Sequence, residues 1–117
     1  MRRKVVCIDF DGTIHLYNKG WYDSSIYDPP TKGAREALRK LVANGYKVII
    51  FTTRLNPEVN EDVNLEKNKI SKWFAENGFE KGKHYHDITA IKPIADAYID
   101  DKAIRFTNWE DTLKHLL

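Results

Sequence analysis

Two short apolar runs, residues 4–9 and 47–52, constrain this chain more than anything else in it. Neither alternates with polar residues, so each reads as a strand covered on both faces. Between them Ala34, Ala37, Leu38, Leu41 and Val42 fall at helical spacing, leaving Arg35, Glu36, Arg39 and Lys40 outward. Thr31 stands where a helix N-cap is expected, and Asn44-Gly45 suits a left-handed helix end. Strand, helix and strand in that order imply a parallel pair joined by a right-handed crossover.

The rest of the chain extends this unit. Val63, Ile70, Trp73 and Phe74 give an apolar stripe to a helix expected over 61–77. Residues 85–89 read as a third strand, 97–100 as an apolar strand ending in acids, and 103–106 as a last strand. Asn108 is placed to cap a final helix through Leu117, with Trp109, Leu113 and Leu116 inward. The order βαβαββα predicts an α/β three-layer sandwich with a mainly parallel, Rossmann-like sheet of about five strands. Residues 12–30 form an excursion rich in Tyr, Trp, Asp, Ser and Gly. Asn18-Lys19-Gly20 is a plausible hairpin turn within it, giving a hairpin-like flap that Asp28-Pro29-Pro30 brings to an end.

With 117 residues there is room for one core, and 1–117 reads as a single domain. A net charge of +2 argues against a dedicated nucleic-acid binder. The lone cysteine, Cys7, lies in the first apolar run and is expected to be buried and inert; lack of a disulfide pair fits a reducing compartment. Arg2-Arg3-Lys4 precedes that run, but Asp9 and Asp11 interrupt it too early for a signal peptide. No stretch has the length of a membrane span, and a cytoplasmic protein is expected.

Parallel sheets bind ligands beyond the carboxyl ends of their strands. Asp9, Thr52 and Asp100 each end an expected strand, so the fold would gather residues far apart in sequence at one edge. Asp9, Asp11 and one or both of Asp100 and Asp101 would repel one another unless a hard divalent cation such as Mg²⁺ neutralised them. Lys92 and the Thr52 hydroxyl suit an anionic ligand. A metal, a cation and a hydroxyl donor around a free carboxylate describe phosphoryl transfer, with the carboxylate as nucleophile and a second acid as proton donor and base. Read singly, the same residues are ordinary: an Asp-Gly turn, a β-branched strand residue, an exposed lysine, a loop-forming acid pair. Only their order along the chain favours chemistry. His84-Tyr85-His86-Asp87 looks like a metal cluster, but alternating strand positions face opposite sides, and it reads as a polar strand start.

Asp9-Phe10-Asp11-Gly12-Thr13 resembles the first motif of the haloacid dehalogenase (HAD) superfamily of phosphatases. Ile49-Ile50-Phe51-Thr52 resembles its second motif, Lys92 its third-motif lysine, and Tyr98-Ile99-Asp100-Asp101 its acidic fourth. The resemblance covers essentially the whole chain and keeps the family's order. It implies Mg²⁺ as cofactor and an HAD-type sheet, with Asp9 as nucleophile and metal ligand. Asp11 would be the general acid/base, its carbonyl reaching the metal; Asp100 would be the direct ligand and Asp101 a second, although their adjacency leaves that division open. Thr52, or Thr53 beside it, and Lys92 would hold phosphate, and the backbone N–H groups of Phe10 and Asp11 would cradle it. Arg54 and His15 are further substrate candidates, although an exposed arginine after a strand needs no functional explanation. The intervals that hold cap domains in the family are short here. A capless or minimally capped member is implied, able to contact a phosphorylated macromolecule or a second copy through the aromatic flap of Tyr17, Trp21, Tyr22 and Tyr27. The rival reading is a receiver-like, non-enzymatic phosphate-binding module of the same α/β class; strand two ends in Thr52 where such a module would carry its acceptor aspartate.

Overall fold

The computed structural model describes residues 3–21 and 23–117; Arg2 of the basic start and Tyr22 of the flap lie outside the described residues. The chain is α/β, with a four-stranded, all-parallel sheet and three α-helices among those residues. Strands β1 (Val5–Asp9) and β2 (Lys47–Phe51) are joined through helix α1 (Ala34–Ala43). A single 3₁₀ turn, Thr53–Leu55, then leads towards α2 (Val63–Glu76) and β3 (Asp87–Thr89). Strand β4 (Ala97–Ile99) and α3 (Trp109–Leu116) complete the order. The sheet runs β3-β2-β1-β4.

Helix α1 starts later than the sequence suggests. Its N-cap is Gly33 in the left-handed region, with no side-chain cap. The Thr31 hydroxyl is spent instead on the Thr13 carbonyl at 2.7 Å, tying the helix start to the loop after β1. The other end is as expected: Gly45 has φ 89°, and Tyr46 N–H closes on Leu41 O at 3.0 Å. Helix α2 is capped by Asp62, whose carboxylate accepts from Leu65 N–H.

One apolar core lies against Val6, Ile8, Val48, Ile50 and Ile88, which share a sheet face by register. Leu38 of α1 and Ile70, Trp73 and Phe74 of α2 fill it, with Phe10, Phe79 and Tyr85. Both crossovers run the same way along the sheet, so both helices fall on this face. On the opposite face Cys7 is buried, as expected, and burial pushes its thiol pKa up.

The C-terminal part departs from expectation. The strand expected at 103–106 does not form, and every residue from 96 to 111 is exposed. Helix α3 forms where Asn108 caps it, but Trp109, Leu113 and Leu116 are not inward: all three are exposed. The Cα radius of gyration, 15.0 Å, exceeds the ~13 Å of a compact chain of this length, in keeping with a loosely packed end. Among the described residues of 11–30 there are isolated bridges, Asp11 to His15 and His15 to Pro30, rather than hairpin strands. The turn at 18–20 is present and is held by Tyr27, whose hydroxyl donates to Gly20 O at 2.7 Å. No described helix is long and apolar enough to cross a membrane.

Candidate active site

Strand register brings the site together. Asp9 lies beside Phe51, which lies beside Thr89, and Ile8 lies beside Ile99. Thr52 and Asp100 each follow their paired strand by one residue, so both arrive level with the end of β1. Phe10 anchors that end: it is fully buried, edge-on to Trp73 and Phe74 at ring distances of 5.2 and 5.6 Å.

Asp9, Asp100 and Asp101 each offer a carboxylate oxygen, all within 4.8 Å of one another. Burial first, then the Asp100 charge, a hydrogen bond with Asp101, and the Asp101 and Asp11 charges push the Asp9 pKa up to about 7. Gly12 makes this crowding possible. Its φ of 85° disfavours any side chain, and a Cβ there would collide with the Asp101 carboxylate. Oxygen donors of this kind in a tight group fit a hard divalent cation.

A cavity of about 240 Å³ opens in front of the acids, lined by Asp9, Asp11, Thr52, Thr53, Asp101 and Lys102. Tyr17 and Trp21 of the flap also line it; Tyr17, at φ 57°, is the one non-glycine with positive φ among the described residues. Thr52 is buried, and its Oγ1 accepts from Arg54 N–H at 3.1 Å, leaving the hydroxyl proton to donate. Thr53 is exposed. Lys92 lies apart from Thr52. Its ammonium sits 4.4 Å above the Tyr98 ring, in a neighbouring cavity of about 150 Å³ that shares Asp9 and Asp100. Lys102, which no motif or spacing singles out, lines the Thr52 cavity instead. A larger depression behind the flap, about 400 Å³, is lined by Asp23, Lys69, Lys72 and Trp73 and touches none of the strand-end acids.

Asp11 is held through both of its carboxylate oxygens. Its Oδ2 accepts from Arg54 Nε at 2.8 Å, and its Oδ1 from Arg54 Nη2 at 3.1 Å and His15 Nδ1 at 2.8 Å. Burial would raise this carboxyl, but the bonds from His15 and Arg54 outweigh it and hold the pKa below the usual carboxylate range. His15 Nε2 accepts from Asp28 N–H at 3.0 Å, which places the ring proton on Nδ1 in a neutral imidazole.

Arg54 is not an exposed residue after a strand but is completely buried, and it faces Asp11 rather than a ligand. His15 is likewise fully buried, with both ring nitrogens engaged. Phe10 N–H cannot cradle phosphate, because it donates to Phe51 O at 3.1 Å. His84 and His86 accept backbone N–H groups from Glu80 and Val48 through Nδ1, which marks them as parts of the scaffold. No protein-family profile, curated protein or solved structure matches the chain.

Proposed function

We propose that this protein is a Mg²⁺-dependent phosphatase of the HAD type that hydrolyses a phosphomonoester through an aspartyl-phosphate on Asp9. The single observation that carries the reading is the grouping of Asp9, Asp100 and Asp101 within 4.8 Å beside Thr52 at one strand edge. Those three carboxylates would hold the cation, which would offset their repulsion and the charge of the phosphate. An ionised Asp9 oxygen would bond to phosphorus as the bond to the leaving oxygen breaks, and that oxygen would take up a proton from solvent water, balanced when Asp11 later releases to solvent the proton it accepts. Thr52 Oγ1–H would donate to a phosphate oxygen throughout, with Lys102 or a swung Lys92 supplying positive charge. Water would then attack the acyl phosphate while Asp11 accepts its proton, releasing phosphate and restoring the Asp9 carboxylate. The full architecture of that family would need residues 103–106 to pair with the free edge of β4, giving about five strands. It would also need α3 to cover the second sheet face as a third layer. The test is phosphate release from a panel of phosphomonoesters with Mg²⁺. Turnover should vanish in Asp9→Asn and on chelation; turnover equal to the parent in Asp9→Asn would refute the mechanism.

The receiver-like reading is favoured by one observation, the full engagement of both Asp11 oxygens. An Asp11 slow to exchange protons would let phosphorylated Asp9 persist. A phosphorylated form lasting minutes, with no sustained release of phosphate, would select that reading.

A further inference from the structure

Arg54 and His15 are charged or polar, completely buried, and turned away from the cavity. A buried guanidinium is costly unless every contact is good, and this one has the contacts. Besides its two bonds to Asp11, Nη1 donates to Ser24 O at 2.8 Å and Nη2 to Ser25 O at 3.4 Å. Trp21 lies over the same group, with its ring centre 5.3 Å from the guanidinium carbon. His15 makes the second link, from Asp11 through its ring to Asp28 N–H. The flap is thus joined to the Asp11 carboxylate at Ser24, Ser25 and Asp28, and Trp21, which walls the cavity, rests on the same guanidinium.

We propose that Arg54 and His15 are positioning residues: they fix the Asp11 carboxylate, Trp21 and the 23–28 flap wall as one unit, and neither touches substrate. The role in catalysis rests on the phosphatase reading; the mechanical coupling does not. An aspartate two residues beyond a strand, as Asp11 is, has two free side-chain torsions. Three donors on its two oxygens remove that freedom, and Arg54 donates in a fixed fork that a lysine cannot reproduce. A carboxylate displaced by about 1 Å from its proton-transfer geometry loses one to two orders of magnitude in rate.

Two measurements test this. In steady-state kinetics with the best substrate of the phosphomonoester panel, Arg54→Lys should lower kcat about tenfold or more. KM and the inhibition constant of inorganic phosphate should stay within about twofold. His15→Asn, which keeps a donor in the Nδ1 position, should retain most of kcat, whereas His15→Phe should fall as Arg54→Lys does. A rise in KM and in the phosphate inhibition constant at constant kcat would make Arg54 a ligand and overturn the proposal. Unchanged kinetics in Arg54→Lys would also overturn it, as would equal losses in the two His15 variants. The second measurement is amide hydrogen exchange of residues 23–28 in the parent, Arg54→Lys, Asp11→Asn and the double variant. Each single change should speed exchange, and the double should be no faster than the more affected single variant. Effects that multiply independently would refute the coupling. A parent without turnover would sink the phosphatase reading, and the exchange experiment alone would then decide the inference.

Discussion

Replacing Asp9 by Asn should make the metal-free protein more stable, and the gain should depend on pH. The Asp9 carboxyl is pushed up to about 7 by burial and its acidic neighbours, against an ordinary value of 3.8. Between those two values the folded state holds a proton that the unfolded state has released. Stability contributed by this group is therefore lost as pH rises through that window. The difference of about three pKa units sets a ceiling of about 4 kcal/mol. Asp9 is only partly buried, and solvent screening reduces the usable part to about 1–2 kcal/mol. Asparagine has no proton to lose. The variant should match the parent near pH 4 and exceed it fully by pH 8, by about 4–8 °C in Tm for a chain of this size. Thermal melts followed by circular dichroism, in chelator at both pH values, read the difference directly. Titrating groups remote from Asp9 are common to the two proteins and cancel, whereas Asp100 and Asp101 lose a charged neighbour in the variant, which adds to its gain at pH 8. Millimolar Mg²⁺ at pH 8 should raise the parent's Tm and leave the variant nearly unmoved. A variant that melts at or below the parent at pH 8 in chelator would show that the three carboxylates are not in conflict, and the cation-site argument would fall with it.

Asp11→Ala should act in the opposite direction, because it strands a buried guanidinium: a loss of about 3 kcal/mol, measured by urea unfolding, is expected. Asp11 is held below the ordinary carboxylate range, so its contribution to stability should persist down to pH 4 and fade only below it. The same ionised state suits Asp11 to take a proton from water better than to give one to a leaving oxygen. Turnover should therefore rise steeply as the leaving group becomes more acidic across a series of aryl phosphates; a flat series would mean that Asp11 is protonated before the first step. Gly12→Ala should displace the Asp101 carboxylate, the group nearest the added Cβ. Mg²⁺ affinity measured by calorimetry should fall about tenfold or more if Asp101 is a direct ligand, since lost outer partners alone cost that order.

Much of this was legible in the chain. Unbroken apolar runs have few alternatives to a buried parallel strand, and β1 and β2 formed within a residue of expectation. The acids at strand ends were legible for the same reason, since parallel strands in register deliver their last residues to one edge. Arg54 and His15 were not. Their positions show polar residues after a strand or motif, and nothing in spacing says that a 3₁₀ turn folds Arg54 back beneath Asp11 or that a loop seals over His15. The failures at the C-terminus have a different origin. Trp109, Leu113 and Leu116 do form an apolar stripe on a helix, but a stripe specifies that something should cover it, not which surface does. Residues 103–106 likewise had strand composition without a partner. Thr31 shows the limit of cap rules: its hydroxyl had a competing acceptor in Thr13 O, a contact 18 residues away.

The register of β1 against β2 and β4 has a consequence for how such a protein can change over time. Asp9, Thr52 and Asp100 are aligned by backbone hydrogen bonds, so strand side chains are free to drift among apolar types while the site stays put. Chain length is not free in the same way. One residue gained or lost inside β2 would carry Thr52 about 3.3 Å along the strand and turn it to the opposite face of the sheet. Tolerance here should be read in insertions and deletions rather than substitutions: none within β1, β2 and β4, and many in the loops that the edge leaves outside the site.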